Sequence, residues 1–469
     1  MNHTLWRLSA AEIAALIARG EASALDVVHA HLDRIAAVNP AVNAVTSLLA
    51  ESARDAAREV DRRRAAGETL GPLAGVPFTV KENIDVEGSA TTNGVPALRH
   101  AVAPADAPVV ERLRKAGAIP IGRTNLPDLS LGFHTRSQLF GDTVNPWDAG
   151  SSPGGSSGGE GVALATGMSP LGIGNDAGGS VRIPALFGGV TALKPSYGRF
   201  PGDRSVGPRD MSLASQVIPV DGVLARTVAD LRLAFGVLAG PDPRDPRVVP
   251  APLEGPPPAR PIRVALVADP GGQGVAPSVR AAVESAAAAL RDAGYVVEAA
   301  DVPRLGEVAD TYGGLVMTEF HLVSAMLERL LGAYGKQYIA YAMALQKPVD
   351  LATYVRLTAV RQGLQRDWAM FLARYPIVLG PVFTEPAVPV AFDVQGLDEH
   401  TRMGKAMRLC AATNLVGVPA VAVPTGVVDG LPHGVQVIGS AYREDLCLDA
   451  AAAIEARLGR FTPIEPTVV

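Results

Sequence analysis

The stretch PLGIGNDAGGSVRIPALFGGVTALKPSYGR, residues 170–199, shows the pattern that decides the fold of this chain. Two short apolar runs, PLGIG and VTALK, lie on either side of the Gly-rich turn NDAGGS. Short apolar runs bounded by Gly and Pro are typical of buried strands. We therefore expect two strands here, and between them a turn whose backbone is not covered by bulky side chains.

Similar runs recur along the chain, and helical patterns separate many of them. The runs are GVPFTV (75–80), AIPIG (118–122), IRVALV (262–267), YVVEA (295–299), PIVLG (376–380), AVAVP (420–424) and HGVQVIG (433–439). Helical patterns lie at 106–117, 227–239, 276–293 and 442–457. This alternation predicts an α/β fold with a mostly parallel or mixed sheet that helices cover.

The first 68 residues read as an N-terminal helical layer. Ser9 and Glu12 have the spacing of a capping box at the start of a helix. Further helical patterns follow at 24–38 and 52–67. We expect this layer to pack over the rest of the protein.

Two later segments differ from the alternating pattern. Residues 242–260 are Pro-rich and largely without periodicity, so we interpret them as a connection. Residues 307–375 are helical in pattern and rich in Leu, Ala, Met and Tyr. Helix packing accounts for most of those side chains, and in a hydrolase the segment could also line a substrate pocket.

The composition narrows the class of protein. The 469 residues are 48% hydrophobic and 19% charged, which is enough apolar material for a large core. The net charge of -5, without blocks of like charge, argues against a nucleic-acid surface. No run is long enough to span a membrane, and the separate Cys410 and Cys447 argue against a disulfide framework. We expect a soluble, cytoplasmic protein that binds neither nucleic acid nor membrane.

A first candidate motif is Gly154–Gly158, which matches G-x-S-x-G, the nucleophile elbow of α/β-hydrolases. In that interpretation Ser156 is the nucleophile of an esterase, and a late histidine such as His433 is its base. The elbow requires a strand directly before the serine, and VNPWDAGSSPG (144–154) is not a strand pattern. The elbow therefore stays an alternative hypothesis.

A second candidate is Gly172–Ala177, which matches the dinucleotide fingerprint G-x-G-x-x-A. Its acidic residue, expected about 20 positions later, is missing, since the sequence has no Asp or Glu between Ala177 and Gly202. The sequence also contains no phosphate-binding loop of the G-x-x-x-x-G-K-[ST] type. We predict neither an organic cofactor nor a metal.

A third pattern begins with Lys81, which follows GVPFTV at the end of a predicted strand. An ammonium group is unusual there. Lys81 could be solvated, or could pair with Glu82 or Asp85. It could also be a base, because burial lowers a lysine pKa from about 10.4 toward roughly 7–8, where the neutral amine accepts a proton.

The two Gly-rich turns favour the base. SPGGSSGG supplies Ser156 and Ser157, and NDAGGS supplies Ser180. No histidine stands close to either turn as a convincing base. Two serines with separate roles would explain why the chain has two such turns.

The residues before Ser180 suit an oxyanion hole. Ala177, Gly178 and Gly179 carry consecutive backbone N–H groups and no bulky side chains. Donors of this kind can approach a developing negative charge closely. A serine nucleophile, a base and an oxyanion hole together indicate acyl transfer.

These segments resemble the amidase signature family of serine hydrolases. The resemblance rests on GVPFTVKENID (75–85), FGDTVNPWDAGSSPGGSSGGEG (140–161) and the opening stretch, in matching order and approximate spacing. It is dense over residues 70–200, a catalytic signature core, and continues more loosely through VLARTVADL (223–231) and NLVGVPAVAVPTG (414–426). It implies a single α/β/α domain over residues 1–469 with a large twisted mixed sheet. It also implies hydrolysis of a carboxylic amide without a cofactor.

Matched residue by residue, the family's Ser-cis-Ser-Lys triad falls on Ser180, Ser156 and Lys81. The resemblance implies that Ser180 attacks the amide carbonyl and forms an acyl-enzyme. Ser156, on a cis peptide, would relay the proton to Lys81. The backbone N–H groups from Ala177 to Ser180 would form the oxyanion hole.

The resemblance also implies supporting and binding roles. Ser157, Asp176 and Arg182 match positions that hold the loops by hydrogen bonds. Ser130, in NLPDLSLGF, matches a position that borders the substrate. The expected partners are a small-molecule amide and, in a homodimer, a second copy of the chain.

Three positions depart from the family pattern. Asn175 stands where relatives more often carry Ser or Thr, and Arg136 and Gln138 stand where Asn or Glu is common in some branches. These departures leave the triad intact and the substrate preference open. The apolar segment 307–375 hints at a hydrophobic or aryl amide.

One alternative within the family is an amidotransferase A-like protein that uses glutamine and passes ammonia to a partner. Such proteins, which act in glutamyl-tRNA synthesis, hold glutamine with a YDGVRYG-like signature. The sequence contains no such segment, which argues against this alternative.

Overall fold

An eleven-stranded sheet runs through the structure, a computed structural model that describes residues 2–203, 205–206 and 209–467. The strands are β1 Val45–Leu48, β2 Pro77–Lys81, β3 Ile119–Thr124, β4 Arg136–Ser137, β5 Gly141–Asp142, β6 Leu171–Asp176, β7 Thr191–Lys194, β8 Ser205–Val206, β9 Arg209–Asp210, β10 Val220–Ala225, β11 Arg263–Leu266, β12 Val296–Ala299, β13 Ile377–Pro381, β14 Ala420–Val428 and β15 Leu431–Gly439. The order in the sheet is β1-β3-β2-β6-β10-β7-β14-β15-β13-β11-β12. Two short ribbons, β4-β5 and β8-β9, stand apart from it.

The sheet is mixed. Strand β2 pairs in parallel with β3 and β6, and β11 pairs in parallel with β12 and β13. The strands between these groups, β10, β7, β14 and β15, pair with their neighbours in antiparallel fashion. Side chains alternate between two cores: Val421 and Val423 bury on one face, and Ala420 buries on the other. The predicted α/β class with a large mixed sheet is confirmed.

Helices cover both faces of the sheet. They are α1 Ala10–Arg19, α2 Ala24–Val42, α3 Ala50–Ala65, α4 Pro108–Lys115, α5 Gly158–Ala165, α6 Arg182–Gly188, α7 Leu213–Val217, α8 Val228–Leu238, α9 Pro277–Asp292, α10 Leu305–Leu322, α11 Ser324–Leu330, α12 Ala333–Leu345, α13 Leu351–Arg374, α14 Leu397–Ala406, α15 Arg408–Val416 and α16 Glu444–Leu458. One core contains α1–α4, α8, α9 and α16, and the opposite cores contain α6, α10, α13 and α15. Among the described helices, none is long and apolar enough to cross a membrane.

The N-terminal segment forms a short 3-10 helix at Asn2–Arg7 and the α-helices α1–α3, and it also contributes β1, an edge strand of the sheet. The Ser9 side chain accepts a hydrogen bond from the Glu12 N–H at 3.2 Å, and the Glu12 carboxylate accepts one from the Ser9 N–H at 2.7 Å. Helix α2 is longer than its sequence pattern predicts, because Val42 buries on the same side as Val38 and extends the apolar stripe. Asn43, in the left-handed conformation with φ 48°, ends it.

The β14-β15 hairpin is also longer than its apolar runs indicate. Each of the two strands has nine residues. They connect at Asp429 and Gly430, whose φ angles are 51° and 78°. Two consecutive positive φ values are the requirement of a type I′ turn, for which Asp-Gly is a preferred sequence. The dipeptide in VVDGLPH is therefore the local signal for this longer hairpin.

The Pro-rich segment 242–260 lies between α8 and β11 and packs on the protein. Arg199 donates to the carbonyl oxygens of Ala251 and Pro252, each at 2.7 Å. The Val249 N–H donates to the Gly198 carbonyl at 2.9 Å. The strands on either side of it, β10 and β11, belong to one sheet, so the segment connects parts of a single core.

The parallel pair β2 and β6 positions the two Gly-rich turns. Thr79 pairs with Gly172, and Val80 pairs with Ile173. Because the strands run in the same direction, Lys81 and the end of β6 lie at the same edge of the sheet. Helix α5 begins directly after the first turn, and α6 begins after the second. The turns therefore meet above the ends of these two strands.

Candidate active site

Lys81, the last residue of β2, has no solvent-exposed surface. Its amine lies 2.6 Å from the Ser156 hydroxyl and 2.8 Å from the side-chain oxygen of Asn175. The predicted lysine and the first predicted serine are thus in direct contact. Because Lys81 is fully buried, it is not a solvated strand end. Among the described contacts, neither Glu82 nor Asp85 forms a hydrogen bond with its amine, so Lys81 is not paired with either acid in this way.

Burial sets the protonation of this lysine. Desolvation lowers the pKa of Lys81 to about 7, against the carboxylates of Asp176, Glu160 and Asp221, which raise it. A lysine in this range exchanges a proton near neutral pH. It has the property that a general base requires.

The first Gly-rich turn is buried. Residues 151–165 are all buried, and the Gly155–Ser156 peptide bond is cis, as the resemblance implies. The glycines allow close packing of backbone: a Cβ at Gly159 would lie 2.5 Å from the Asn125 nitrogen. One at Gly155 would lie 2.9 Å from the Gly132 oxygen. The turn is therefore part of the core and not a flexible linker.

The second turn wraps around the Asp176 carboxylate. This carboxylate accepts hydrogen bonds from the N–H groups of Gly179 at 2.7 Å and Val181 at 3.1 Å. Among the described contacts, the N–H groups of Ala177, Gly178 and Ser180 have no protein acceptor. Gly179 has a φ of 129°, which only glycine adopts readily. The run of donors expected from the sequence is thus reduced to three, since the Gly179 N–H is engaged.

Arg182 binds the Asp176 carboxylate. Its guanidinium donates to Asp176 through Nε at 3.1 Å and Nη2 at 2.9 Å, and both side chains are fully buried. Burial alone would raise the pKa of Asp176, but the neighbouring guanidinium lowers it to about 2. The pair is a buried ion pair whose geometry holds the turn before Ser180.

Ser180 lies at the accessible end of the arrangement. It is partly exposed, whereas Ser156 and Lys81 are buried. The Ser157 N–H donates to the Ser180 carbonyl at 3.1 Å and so joins the two turns. The Ser157 hydroxyl, expected to hold the loops, has no partner among the described residues; its backbone makes the connection instead.

The remaining sequence-predicted residues lie around this centre. Ser130 is in the left-handed conformation with φ 62°, and its hydroxyl accepts from Asn83 at 3.0 Å. Arg136 is engaged by Asp142, with one bond at 2.7 Å and a second, shorter one. The Gln138 backbone N–H donates to Asp128 at 2.7 Å, and this contact concerns the loop and not the triad.

Aromatic side chains stand beside the second turn. Tyr312, on α10, donates from its hydroxyl to the Ala177 carbonyl at 3.1 Å. A Cβ at Gly178 would lie 2.8 Å from the Met407 side chain and 3.0 Å from the Tyr312 hydroxyl. Beside the first turn, Phe133 packs edge-on against Tyr338 of α12, with ring centroids 5.7 Å apart. An apolar wall therefore borders both turns.

Sequence reasoning missed the residues that complete the Arg182 site. The guanidinium also donates to Thr413 at 2.7 Å, Asn414 at 2.7 Å and Gln436 at 2.8 Å. The Asn414 amide returns a bond to the Asp176 carbonyl at 2.8 Å. The available signal was Asn414 itself, a polar residue that opens the otherwise apolar segment NLVGVPAVAVPTG.

Glu160 was missed as well, although it is the single acid in residues 151–161. It is fully buried and accepts hydrogen bonds from Thr79 at 2.6 Å and Thr124 at 2.7 Å. Burial raises the pKa of Glu160 to about 7. A Cβ at Gly172 would overlap the Glu160 carboxylate, so the absence of a side chain at Gly172 provides the space for it.

The geometry does not favour the two alternative motifs. His433, the base required by the elbow, has its Nδ1 3.2 Å from the Leu431 carbonyl, whereas Ser156 contacts Lys81. No strand directly precedes Ser156 in the described chain. Residues Gly172–Asp176 of the dinucleotide match lie within β6, where a fingerprint loop would need a turn.

Comparison with known proteins shows the family of this chain. The model of the amidase family matches residues 26–448. The chain is 43% identical to the indoleacetamide hydrolase of Bradyrhizobium diazoefficiens over 458 residues, which cover 97% of this chain and 87% of that protein. It is 35% identical to the A component of the glutamyl-tRNA(Gln) amidotransferase of Salinispora tropica over 494 residues, which cover 98% and 99%.

Solved structures show the same fold. The structure of 6-aminohexanoate cyclic dimer hydrolase superposes with a TM-score of 0.82 at 28% identity and covers 99% of both chains. A bacterial aryl acylamidase of the amidase signature family has a TM-score of 0.81 at 26% identity, with 96% of both chains covered. The chain belongs to the amidase signature family. Within that family it is an amidohydrolase, an enzyme that cleaves the C–N bond of carboxylic amides.

Proposed function

We propose that Ser180, Ser156 and Lys81 carry out the hydrolysis and that the substrates are small arylacetamides, of which indoleacetamide is one. The observation that carries the mechanism is the 2.6 Å contact between the buried Lys81 amine and the Ser156 hydroxyl, beneath the turn that bears Ser180. The substrate class rests on the aromatic wall and on the 43% identity to an indoleacetamide hydrolase. The cytoplasmic location and the homodimer stay predictions of the sequence.

In the acylation step, the Ser180 hydroxyl oxygen bonds to the amide carbon. Its proton passes to Ser156, and the Ser156 proton passes to the neutral Lys81 amine. When the C–N bond breaks, the leaving nitrogen takes a proton back along the same path and departs as ammonia. Water then attacks the Ser180 ester by the same relay and releases the carboxylate.

The carbonyl oxygen gains negative charge in both steps. The N–H groups of Ala177, Gly178 and Ser180 are the donors we assign to it. The Gly179 N–H instead holds Asp176, so this residue contributes its backbone conformation. Donors fixed before the reaction stabilise the developing charge without reorganisation.

The aryl preference follows from what stands beside the turns. Phe133 and Tyr338 present an edge-to-face pair, and Tyr312 and Met407 touch the turn before Ser180. Aromatic rings pack favourably on such surfaces. We expect the aryl group of the substrate to pack on this surface while its amide lies at Ser180.

Covalent labelling tests the nucleophile. A serine-directed phosphonylating reagent, followed by digestion and mass spectrometry, should place the adduct on Ser180. Lys81→Ala should abolish labelling, and Lys347→Ala, at an exposed lysine, should label like the wild type. An adduct on Ser156 with Ser180 unmodified, or undiminished labelling of Lys81→Ala, would contradict the mechanism.

Ammonia release from a panel of amides tests the substrate class. Indoleacetamide and phenylacetamide should be hydrolysed with higher kcat/KM than an aliphatic amide of similar length. Glutamine is included because one relative belongs to an amidotransferase. Hydrolysis of glutamine in preference to every aryl amide would support the amidotransferase alternative and overturn the aryl assignment.

A further inference from the structure

Asn175, near the end of β6, is the second hydrogen-bond partner of the Lys81 amine. Its side-chain oxygen lies 2.8 Å from Nζ, and Ser156 Oγ lies 2.6 Å from the same nitrogen. Among the described residues, these two are the amine's partners. Asn175 is half-buried, whereas the lysine is fully buried.

The direction of this contact matters for the base. A neutral amine has two N–H groups and one lone pair, and it can take the Ser156 proton only when the lone pair points at Ser156. The oxygen of a carboxamide accepts hydrogen bonds and cannot donate them. It therefore engages an N–H of the amine and leaves the lone pair for Ser156.

We propose that Asn175 is a positioning residue that orients the lone pair of Lys81 toward Ser156. The proposal rests on the proposed function, since it gives Asn175 a role only if Lys81 is the base. A hydroxyl at this position could donate into the lone pair as well as accept, and so would permit the unproductive orientation. With its oxygen toward Nζ, as in the structure, the carboxamide of Asn175 permits one orientation of the lone pair.

An uncharged acceptor is also required here. Three carboxylates already act on Lys81: Asp176 on β6, Glu160 on α5 and Asp221 on β10. Arg182 binds the first of them directly. A further carboxylate in contact with the amine would favour the ammonium form and raise the pH at which the base becomes active.

The first test introduces that charge. Asn175→Asp should move the rising limb of the kcat/KM–pH profile upward by at least about one pH unit, as an opposite charge within ~4–6 Å of a titrating group does. Gln273→Glu, the same chemical change at an exposed residue, should leave the profile in place. An unshifted profile in Asn175→Asp overturns the proposal.

The second test compares two variants of equal shape. Asn175→Val removes the acceptor, and Asn175→Thr keeps an oxygen on the same β-branched frame. We expect kcat to fall at least tenfold in the valine variant with KM unchanged, and the threonine variant to recover part of that loss. Equal kcat in both variants overturns the proposal, and thermal melting curves check that both are folded.

Labelling of the wild type separates this proposal from the proposed function. If the adduct does not form on Ser180, or its rate does not rise with pH, the mechanism itself fails. If wild-type labelling occurs on Ser180 with a rising pH profile and the Asn175 variants reproduce it, only the role of Asn175 fails. If the valine variant does not fold, the profile of Asn175→Asp decides.

Discussion

Around Ser180, in the signature core of residues 70–200, the charged side chains are buried and hydrogen-bonded, and Arg182 pairs with Asp176. Arg182 is 0% exposed, and each of its nitrogens has an acceptor. On α13, by contrast, Leu351 is 78% exposed and Met370 is 71% exposed. In the core, the residues of the proposed triad lie among buried polar contacts. The helical segment 307–375 contacts the site through a few side chains, such as Tyr312, and carries exposed apolar side chains elsewhere.

This difference indicates that the buried core supplies the proposed catalytic residues, whereas the helical segment affects the choice of substrate. Buried polar groups lose much when one partner is removed, because the other is left unpaired. An apolar wall loses only the contacts of the side chain that changes. The comparison therefore predicts large effects in the core and graded effects in the helices.

The largest expected effect is that of Arg182→Ala. Removing one member of a buried ion pair costs about 3–5 kcal/mol, so the free energy of unfolding should fall by this amount. Arg304→Ala breaks exposed ion pairs at 2.7 Å and 2.5 Å on the helical side, and should lower the free energy of unfolding far less, because solvent screens exposed pairs. Urea denaturation measures both. Equal losses would remove the distinction between the two regions.

The second effect concerns pH. Burial lowers the pKa of Lys81 to about 7, and in the proposed mechanism the neutral amine is the active form. Activity should therefore rise with pH through about 7 and level off above it. At pH 5 it should be about 100-fold below the plateau, since the neutral fraction falls tenfold per pH unit. A flat rate from about pH 5 to 9, with chemistry limiting, would count against Lys81 as the base.

A smaller effect is expected at the aromatic wall. Tyr338→Ala removes the partner of Phe133 and should lower the ratio of kcat/KM for an aryl amide over an aliphatic amide by about tenfold, or ~1.4 kcal/mol. Phosphonate labelling of Ser180 should continue at the wild-type rate. A loss of labelling would mean that this residue supports the triad and not the substrate.

The smallest effect is expected for a substitution at an exposed residue of α13. Met370→Gln replaces an exposed apolar side chain with a polar helix former. The free energy of unfolding should stay within about 0.5 kcal/mol of the wild type, and kcat/KM for an aryl amide should not change. A marked loss of stability, seen in urea denaturation, would show that this face is covered in solution.

Much of this candidate site could be predicted from sequence because the residues of the proposed triad lie in local motifs. Lys81, Ser156 and Ser180 occur within one continuous region, each in a turn or strand end with its own composition. The alternation of apolar runs and helical patterns predicted the α/β class for the same reason. Local patterns report local structure.

The rest depends on contacts between distant parts of the chain. The partners of Arg182 in α15 and β15 lie 232 and 254 positions away from it. The buried carboxylate of Glu160, on α5, depends on hydrogen bonds from Thr79 on β2 and Thr124 on β3. The role of Asn175 depends on which neighbouring strand lies beside β6. The hydrophobic periodicity of one segment does not predict which distant segment packs against it.

The hydrogen bond between Arg182 and Gln436 can form only late in synthesis, because the two residues are 254 positions apart. The triad and its turns leave the ribosome well before α15 and the final hairpin exist. Until Gln436 has been made, the buried guanidinium lacks one of its acceptors, at 2.8 Å in the finished protein. The nascent chain thus carries the three residues of the proposed triad before it carries Gln436, the acceptor from β15 that completes the bonding of Arg182.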